Sequence, residues 1–291
     1  MVRIGMHDQG FPIKASSATS GFPSGSSFFP KIIIRGESDL IWFGKDVTCL
    51  RFPGLSLNQQ LIHGVFTRMG GLSDPPYNSL NTSYTVGDPA ENVTKNLSKI
   101  KKAVEAEHLI FMDQVHGDSV FVVRRDHLDS QGRIPSSDAM ITDISRVALT
   151  IKQADCQGII IFDPERSVVA GVHCGWKGNV RNILGRVVGR MKHEFECRPS
   201  DLVAAIGPSL GPCCAEFVTH EEIFPENFRP FMVRENYFDL WAVSCRQLME
   251  AGLKEENIEV SGICTRCRTD LFYSYRAEGK TGRFATVAML R

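Results

Sequence analysis

His116, Cys156 and His173 are the residues of this sequence best suited to carry chemistry. Two imidazoles and a thiolate are a donor set for Zn²⁺ or copper. Three protein ligands leave a fourth position for water or substrate, as a catalytic metal site requires. His116 stands in Asp113-Gln114-Val115-His116-Gly117, which reads as the end of a strand. Cys156 stands in Gln153-Ala154-Asp155-Cys156, in the expected break between two strands, and His173 closes the apolar run SVVAGVH. Strand ends let side chains distant in sequence converge. The gaps between the three are wide, so spacing alone leaves a structural reading of each one open.

The residues after His173 add a second feature. Cys174-Gly175-Trp176-Lys177-Gly178-Asn179 combines glycines, a lysine and an expected helix start, the makings of an anion site. A tight turn with a solvated Lys177 is the competing reading. Gly207-Pro208-Ser209-Leu210-Gly211 fits the G-x-S-x-G pattern, but only His220 lies downstream to complete a triad, and Pro208 and Pro212 favour a turn. Cys264-Thr265-Arg266-Cys267 is a C-x-x-C pair. A structural zinc needs two further ligands, and the adjacent Cys213-Cys214 is poorly shaped to supply them, so these are expected to be plain thiols. The Gly-rich dinucleotide and phosphate loops, H-E-x-x-H and the H-x-E with P-C-x-x-C pattern are absent.

These side chains need a scaffold of strands. β-Branched runs recur at 31–35, 62–68, 119–125, 148–152, 158–163, 167–173, 202–207, 258–264 and 284–290, several continuous enough to be buried on both faces. Three helices are expected. One starts at Asp88-Pro89-Ala90-Glu91 with Asp88 as cap and Pro89 in the first position. A second runs from about 179 to 195 with a stripe that includes Ile183, Val187 and Met191, and a third from Asp239 to a stop at Gly252. Strands outnumber helices and do not alternate with them, which favours an α+β sandwich over a doubly wound sheet. Residues 1–36, opening with a Gly/Ser/Pro-rich stretch, are expected to be a loosely packed lead-in, and 37–291 a single catalytic domain.

Composition sets the limits. The chain has 291 residues, 33 Lys+Arg against 33 Asp+Glu, and 43% hydrophobic residues. It is long enough to bury a substantial core without cross-links. Zero net charge argues against nucleic-acid binding, which needs a clustered basic excess. Nine cysteines cannot all pair and are too sparse for a disulfide scaffold. No apolar run is long enough to cross a membrane or to act as a secretory leader. A cytoplasmic protein with reduced thiols is expected.

Ten blocks in order make the sequence recognisable: HGVFTRMGGLS (63–73), YNSLN (77–81), VGD (86–88), DQVHGDSV (113–120), SDAMIT (137–142), ADC (154–156), GVHCGWKG (171–178), IGPSLGPCC (206–214), CTRCRTDLFYSYR (264–276) and GKTGR (279–283). The chain resembles the YfiH-like family, long labelled polyphenol oxidase or laccase-domain proteins, over roughly 40–291. The resemblance implies a layered α/β/β/α sandwich with mixed sheets, related to a toxin deamidase with a Cys-His site. It implies metal ligation by the His of QVHG, the Cys of ADC and the His of GVHxGW, which are His116, Cys156 and His173 here. It implies a purine nucleoside phosphorylase acting on adenosine, inosine, guanosine or methylthioadenosine with phosphate, together with adenosine deaminase activity, and hence both transferase and hydrolase chemistry. Zinc is the implied metal, with copper the alternative.

Two positions depart from the family pattern. Cys174 stands where Ala is usual and, by strand alternation, should face away from the metal. Lys177 stands where Arg is usual and keeps the charge without the bidentate fork. Arg68 and Lys177 are the candidates for holding phosphate, with Arg276 and Arg283 behind them, and Gln114 and Asn81 for contacting base or ribose. Asp155 is a candidate acid or base, although alternation turns its side chain away from that of Cys156. Two other readings stay open: a Cys-His hydrolase or deamidase with Cys156 as nucleophile and His173 as base, and a copper-dependent polyphenol oxidase. The expected partners are purine nucleosides and phosphate, with no nucleic acid or membrane, in a monomer or weak dimer.

Overall fold

The computed structural model describes residues 32–291 apart from 45 and 129–132. Of the lead-in expected over 1–36, residues 1–31 lie outside the described residues. Ile33–Ile34, inside that expected lead-in, forms the strand expected over 31–35 and pairs in parallel with Ile258–Val260.

Two mixed seven-stranded sheets form the centre. The first runs Ile33–Ile34, Ile258–Val260, Val203–Ile206, Gln157–Asp163, Val168–Cys174, Ala139–Thr142, Val120–Val122. The second runs Ile41–Phe43, Cys49–Arg51, Leu61–Phe66, Phe284–Leu290, Val147–Gln153, His108–Met112, Arg133–Ile134. Parallel and antiparallel neighbours occur in both.

The side-chain period of two explains the layers. In Phe284–Leu290, Phe284, Ala288 and Leu290 enter the core between the sheets, where Leu149, Ile151, Ile160, Phe162 and Val169 meet them. Ala285, Val287 and Met289 face the other way, onto Ile100 and Val104 at the end of the helix Ala90–Ala103. Both faces are covered, so these strands read as nearly continuous apolar runs. The outer face of the first sheet carries the helix Ile183–Phe195, which buries Ile183, Leu184, Val187, Val188 and Met191. The helix Leu240–Glu250 packs against it. The order is therefore helix, sheet, sheet, helix.

Three expectations need correction. Asp88 does not cap the first helix: its carboxylate accepts from Ser73 Oγ at 2.6 Å and Asn81 Nδ2 at 2.8 Å, and Pro89 precedes the helix. The second helix is two: Trp176–Val180, then Ile183–Phe195, parted at Asn182, which adopts φ +53° and accepts from Gly185 N. Asparagine tolerates that left-handed backbone and supplies the cap oxygen. The third correction is His116, which lies in the loop after His108–Met112 rather than at a strand end, with φ +56°. The third helix begins as expected, with Asp239 accepting from Ala242 N. None of the helices among the described residues is long and apolar enough to cross a membrane.

Candidate functional site

Register in the first sheet assembles the site. Gln157 pairs with Cys174 and Gly158 with His173 across antiparallel strands. Cys156, one residue before the strand, therefore lies beside Gly175, one residue after its partner. Ala139 pairs with Val172, so Asp138 falls at the same end, and its carbonyl accepts from His173 N at 2.7 Å. The loop carrying His116 folds over this end.

The ligand atoms of His116, Cys156 and His173 lie within 4.8 Å of one another. Cys156 Sγ is 3.7 Å from His116 Nε2. A tetrahedral Zn²⁺ with ordinary Zn–S and Zn–N bonds sets that separation at about 3.6 Å. The imidazoles meet edge to face, with ring centroids 4.9 Å apart. His173 is buried and His116 exposed. An alanine methyl at Gly175 would stand 2.8 Å from Cys156 Sγ and 3.4 Å from His116 Cδ2, so glycine keeps the backbone close to the donors. Donor chemistry and spacing both fit a metal ion.

Asp138, which nothing in the sequence singles out, organises this cluster. Its Oδ1 pairs with His173 Nδ1 at 2.8 Å and accepts from His116 N at 3.0 Å. Its Oδ2 accepts from Gly117 N at 2.6 Å and Val115 N at 3.2 Å. One carboxylate thus fixes the backbone that bears His116 and commits Nδ1 of His173, leaving Nε2 to face Cys156. Burial would raise the Asp138 carboxyl, but these bonds and the charge of His173 hold it below the usual range. The SDAMIT block contains Asp138, but nothing in its spacing links it to His173.

Without a metal, the cluster polarises itself. Burial alone would raise the Cys156 thiol, yet the His173 charge and hydrogen bonds to both imidazoles bring it down to about 6. Burial alone would lower His173, yet the Cys156 thiolate and Asp138 bring it up to about 9. A thiolate is the form that binds metal or attacks as a nucleophile.

The cluster sits at the wall of an open cleft of about 1120 Å³. Arg276, Arg283 and Lys152 bring positive charge to the cleft, and Trp176, Phe217 and Tyr275 bring aromatic surface. Lys152 was missed in the sequence because nothing local marks it. Gln114 also lines the cleft, with its amide bonded to Lys152 O at 2.6 Å and Lys152 N at 2.9 Å. Arg276 Nη1 donates to Glu216 O at 2.9 Å, and Arg283 Nη1 to the carbonyls of Thr281 and Gly282.

Of the other expected residues, Arg68, Asn81 and Lys177 do not line the cleft, whereas Asp155 and Cys174 do. Arg68 is buried, stacked 4.5 Å over the Tyr273 ring and bonded to Asn78 O, Thr269 O and Glu278. Its fork is spent on its own neighbours, not offered to phosphate. Asn81 is buried, donating to Ser83 O and Asp88 and accepting from Arg283 N. Lys177 is exposed beside Trp176, and the helix that contains both, Trp176–Val180, has only five residues. Asp155, at φ +80°, accepts from Thr265 Oγ1, Ser274 Oγ and Arg276 N at 2.6–2.7 Å, a set of bonds that makes it an anchor for 265–276 rather than a mobile proton carrier. Cys174 ends its strand fully buried with its thiol against Gly178, outside the ligand cluster. Ser209 is buried with its hydroxyl accepting from Trp241 Nε1 at 2.6 Å, which leaves no nucleophile in G-x-S-x-G.

Comparison with known proteins follows the same outline. Residues 62–291 match the family described as multi-copper polyphenol oxidoreductase laccase. A Bacillus subtilis protein named purine nucleoside phosphorylase YlmD is 33% identical over 78% of this chain and 87% of its own. One from Bacteroides thetaiotaomicron named purine nucleoside phosphorylase is 29% identical over 86% of this chain and 99% of its own. The crystal structure of YfiH from Bacillus licheniformis superposes with a TM-score of 0.79 at 29% identity, covering 87% of this chain and 99% of that one.

Proposed function

The chain belongs to the multi-copper polyphenol oxidoreductase laccase family, and we propose that it is a metal-dependent purine nucleoside phosphorylase that also deaminates adenosine. The observation that carries this reading is the convergence of His116, Cys156 and His173 on one wall of a cleft that also holds Arg276 and Arg283. The names of the relatives supply the reaction class. Adenosine, inosine, guanosine and methylthioadenosine are the proposed nucleosides and zinc the proposed metal.

The chain's own groups divide the work. Phosphate attacks the anomeric carbon as the bond to the purine nitrogen breaks, giving ribose 1-phosphate and the free base. The arginines of the cleft and Lys152 hold the phosphate against that carbon in a charge-assisted arrangement. Tyr275, 61% exposed at the cleft, and Phe217 offer flat faces to the purine. Asp138 holds His173 and the His116 loop in ligating orientation. The metal, when bound by His116, Cys156 and His173, supplies Lewis acidity.

A second reading has its own support. Cys156 near 6, His173 near 9 and an orienting Asp138 compose the Cys-His-Asp arrangement of a thiol hydrolase. The phenol-oxidase reading finds less: the only candidate metal group among the described residues with histidine contains two. Adenosine incubated with and without phosphate separates these readings. Adenine formed only with phosphate supports phosphorolysis, and inosine formed without it supports deamination. Neither product, with alkylation of Cys156 blocking amide hydrolysis, would support the thiol hydrolase instead.

A further inference from the structure

Four of the cysteines expected to be plain thiols converge away from His116, Cys156 and His173. The sulfurs of Cys213, Cys214, Cys264 and Cys267 all lie within 4.8 Å of one another. Cys267 Sγ is 3.7 Å from Cys213 Sγ and 3.5 Å from Cys214 Sγ, and all four cysteines are free. A disulfide needs about 2.05 Å, so these are separate donors. Four thiolates at ordinary Zn–S distance stand about 3.8 Å apart along each tetrahedral edge. We propose that Cys213, Cys214, Cys264 and Cys267 form a second metal site, a closed tetrahedral zinc centre with a structural role.

The surroundings are those of a thiolate cage. Gly211 N donates to Cys264 Sγ at 3.3 Å, and the amides of Arg266 and Cys267 are directed at the same sulfur. Such amides stabilise metal-bound thiolate. The Arg266 side chain meets Cys214, placing a cation beside a centre whose four thiolates and one Zn²⁺ carry net negative charge. Cys214 and Cys264 are buried in a small apolar cluster with Leu210 and Ala215, while Cys213 and Cys267 face solvent. The buried pair excludes water from one side and the exposed pair gives the ion its entry path. A set of four soft sulfur donors and no oxygen selects zinc or iron over magnesium or calcium.

The fold gives this ion something to fasten. The segment 207–217 and the segment 264–276 meet there through the bridge between Ser209 and Cys264. Two residues past Cys214, Glu216 O accepts from Arg276, and Glu216 and Phe217 line the cleft. Next to Cys264, Thr265 holds Asp155, the neighbour of Cys156. Zinc here ties both cleft-wall segments together, whatever reaction the cleft performs.

Metal counting by native mass spectrometry, on full-length protein purified in reductant without chelator, tests the assignment. His116→Ala/Cys156→Ala should keep one zinc per chain. Cys213→Ser/Cys267→Ser, altered at the exposed pair, should hold one zinc fewer than wild type and melt at lower temperature. Cobalt introduced into the His116→Ala/Cys156→Ala protein should show intense thiolate-to-cobalt charge-transfer absorption. That last variant carrying no zinc, an iron–sulfur chromophore, or a mass deficit from disulfides among these four cysteines would each overturn the proposal. Because the count on the His116→Ala/Cys156→Ala protein decides by itself, failure of the serine variant to fold would not rescue the idea.

Discussion

At the scale of single residues, the cluster depends on how its donors are held as much as on which they are. Asp138 accepts four hydrogen bonds and serves both histidines. Asp138→Asn should weaken metal binding by about 10–100-fold, the usual cost of losing such an orienting carboxylate. Competition with a chelator measures it, and unchanged affinity would show that His173 holds its orientation unaided. Gly175→Ala should also weaken metal binding, because the new methyl would crowd Cys156 Sγ at 2.8 Å. The ligands were legible because each sits in a distinctive block. Arg68 and Asn81 were misread for a physical reason: sequence shows a side chain's chemistry but not whether Glu278, Thr269 or Asp88 already consumes it. Asp138 and Lys152 were missed because their importance exists only once the strands are paired.

Elements explain why the site stays in place. The helix Ile183–Phe195 braces the first sheet and starts at Asn182, whose side chain and left-handed backbone make the cap. Asn182→Ala removes the cap and strains the backbone, so unfolding by urea should show a loss of about 1–2 kcal/mol. In the strand Leu61–Phe66, buried His63 accepts from Phe52 N at 2.9 Å through Nε2, which requires the neutral ring. Burial, with the charge of Arg51, pushes its pKa down to about 3. The unfolded chain therefore takes up this proton first, near 6.5, while the folded chain resists until about 3. Stability from His63 is complete above 6.5 and falls with pH through that window, by about 1.4 kcal/mol per pH unit for the one proton. His63→Gln should flatten the loss by that amount, and an equal slope in both proteins would contradict it. Long apolar runs revealed the central strands in sequence. Ala139–Thr142, His108–Met112 and the break at Asn182 were not apparent, because short strands and a left-handed residue leave little periodicity.

Across the whole molecule, two sheets and two helical layers bring one sheet end, one loop and two surface segments to the same cleft. The α/β/β/α layering implied by the family blocks is the layering found, and likeness to YfiH of Bacillus licheniformis extends over most of the chain. The nine cysteines divide in a way composition could not show: one with two histidines, four with one another, and four others buried. On the proposed function, metal held by His116, Cys156 and His173 is required for phosphorolysis. The most direct test measures bound metal and phosphate-dependent release of adenine from adenosine in Cys156→Ala beside wild type. Loss of one metal equivalent, with adenine release reduced at least a thousandfold (about 4 kcal/mol of transition-state stabilisation), is the predicted result. Adenine release at the wild-type rate from protein lacking that metal would contradict the account.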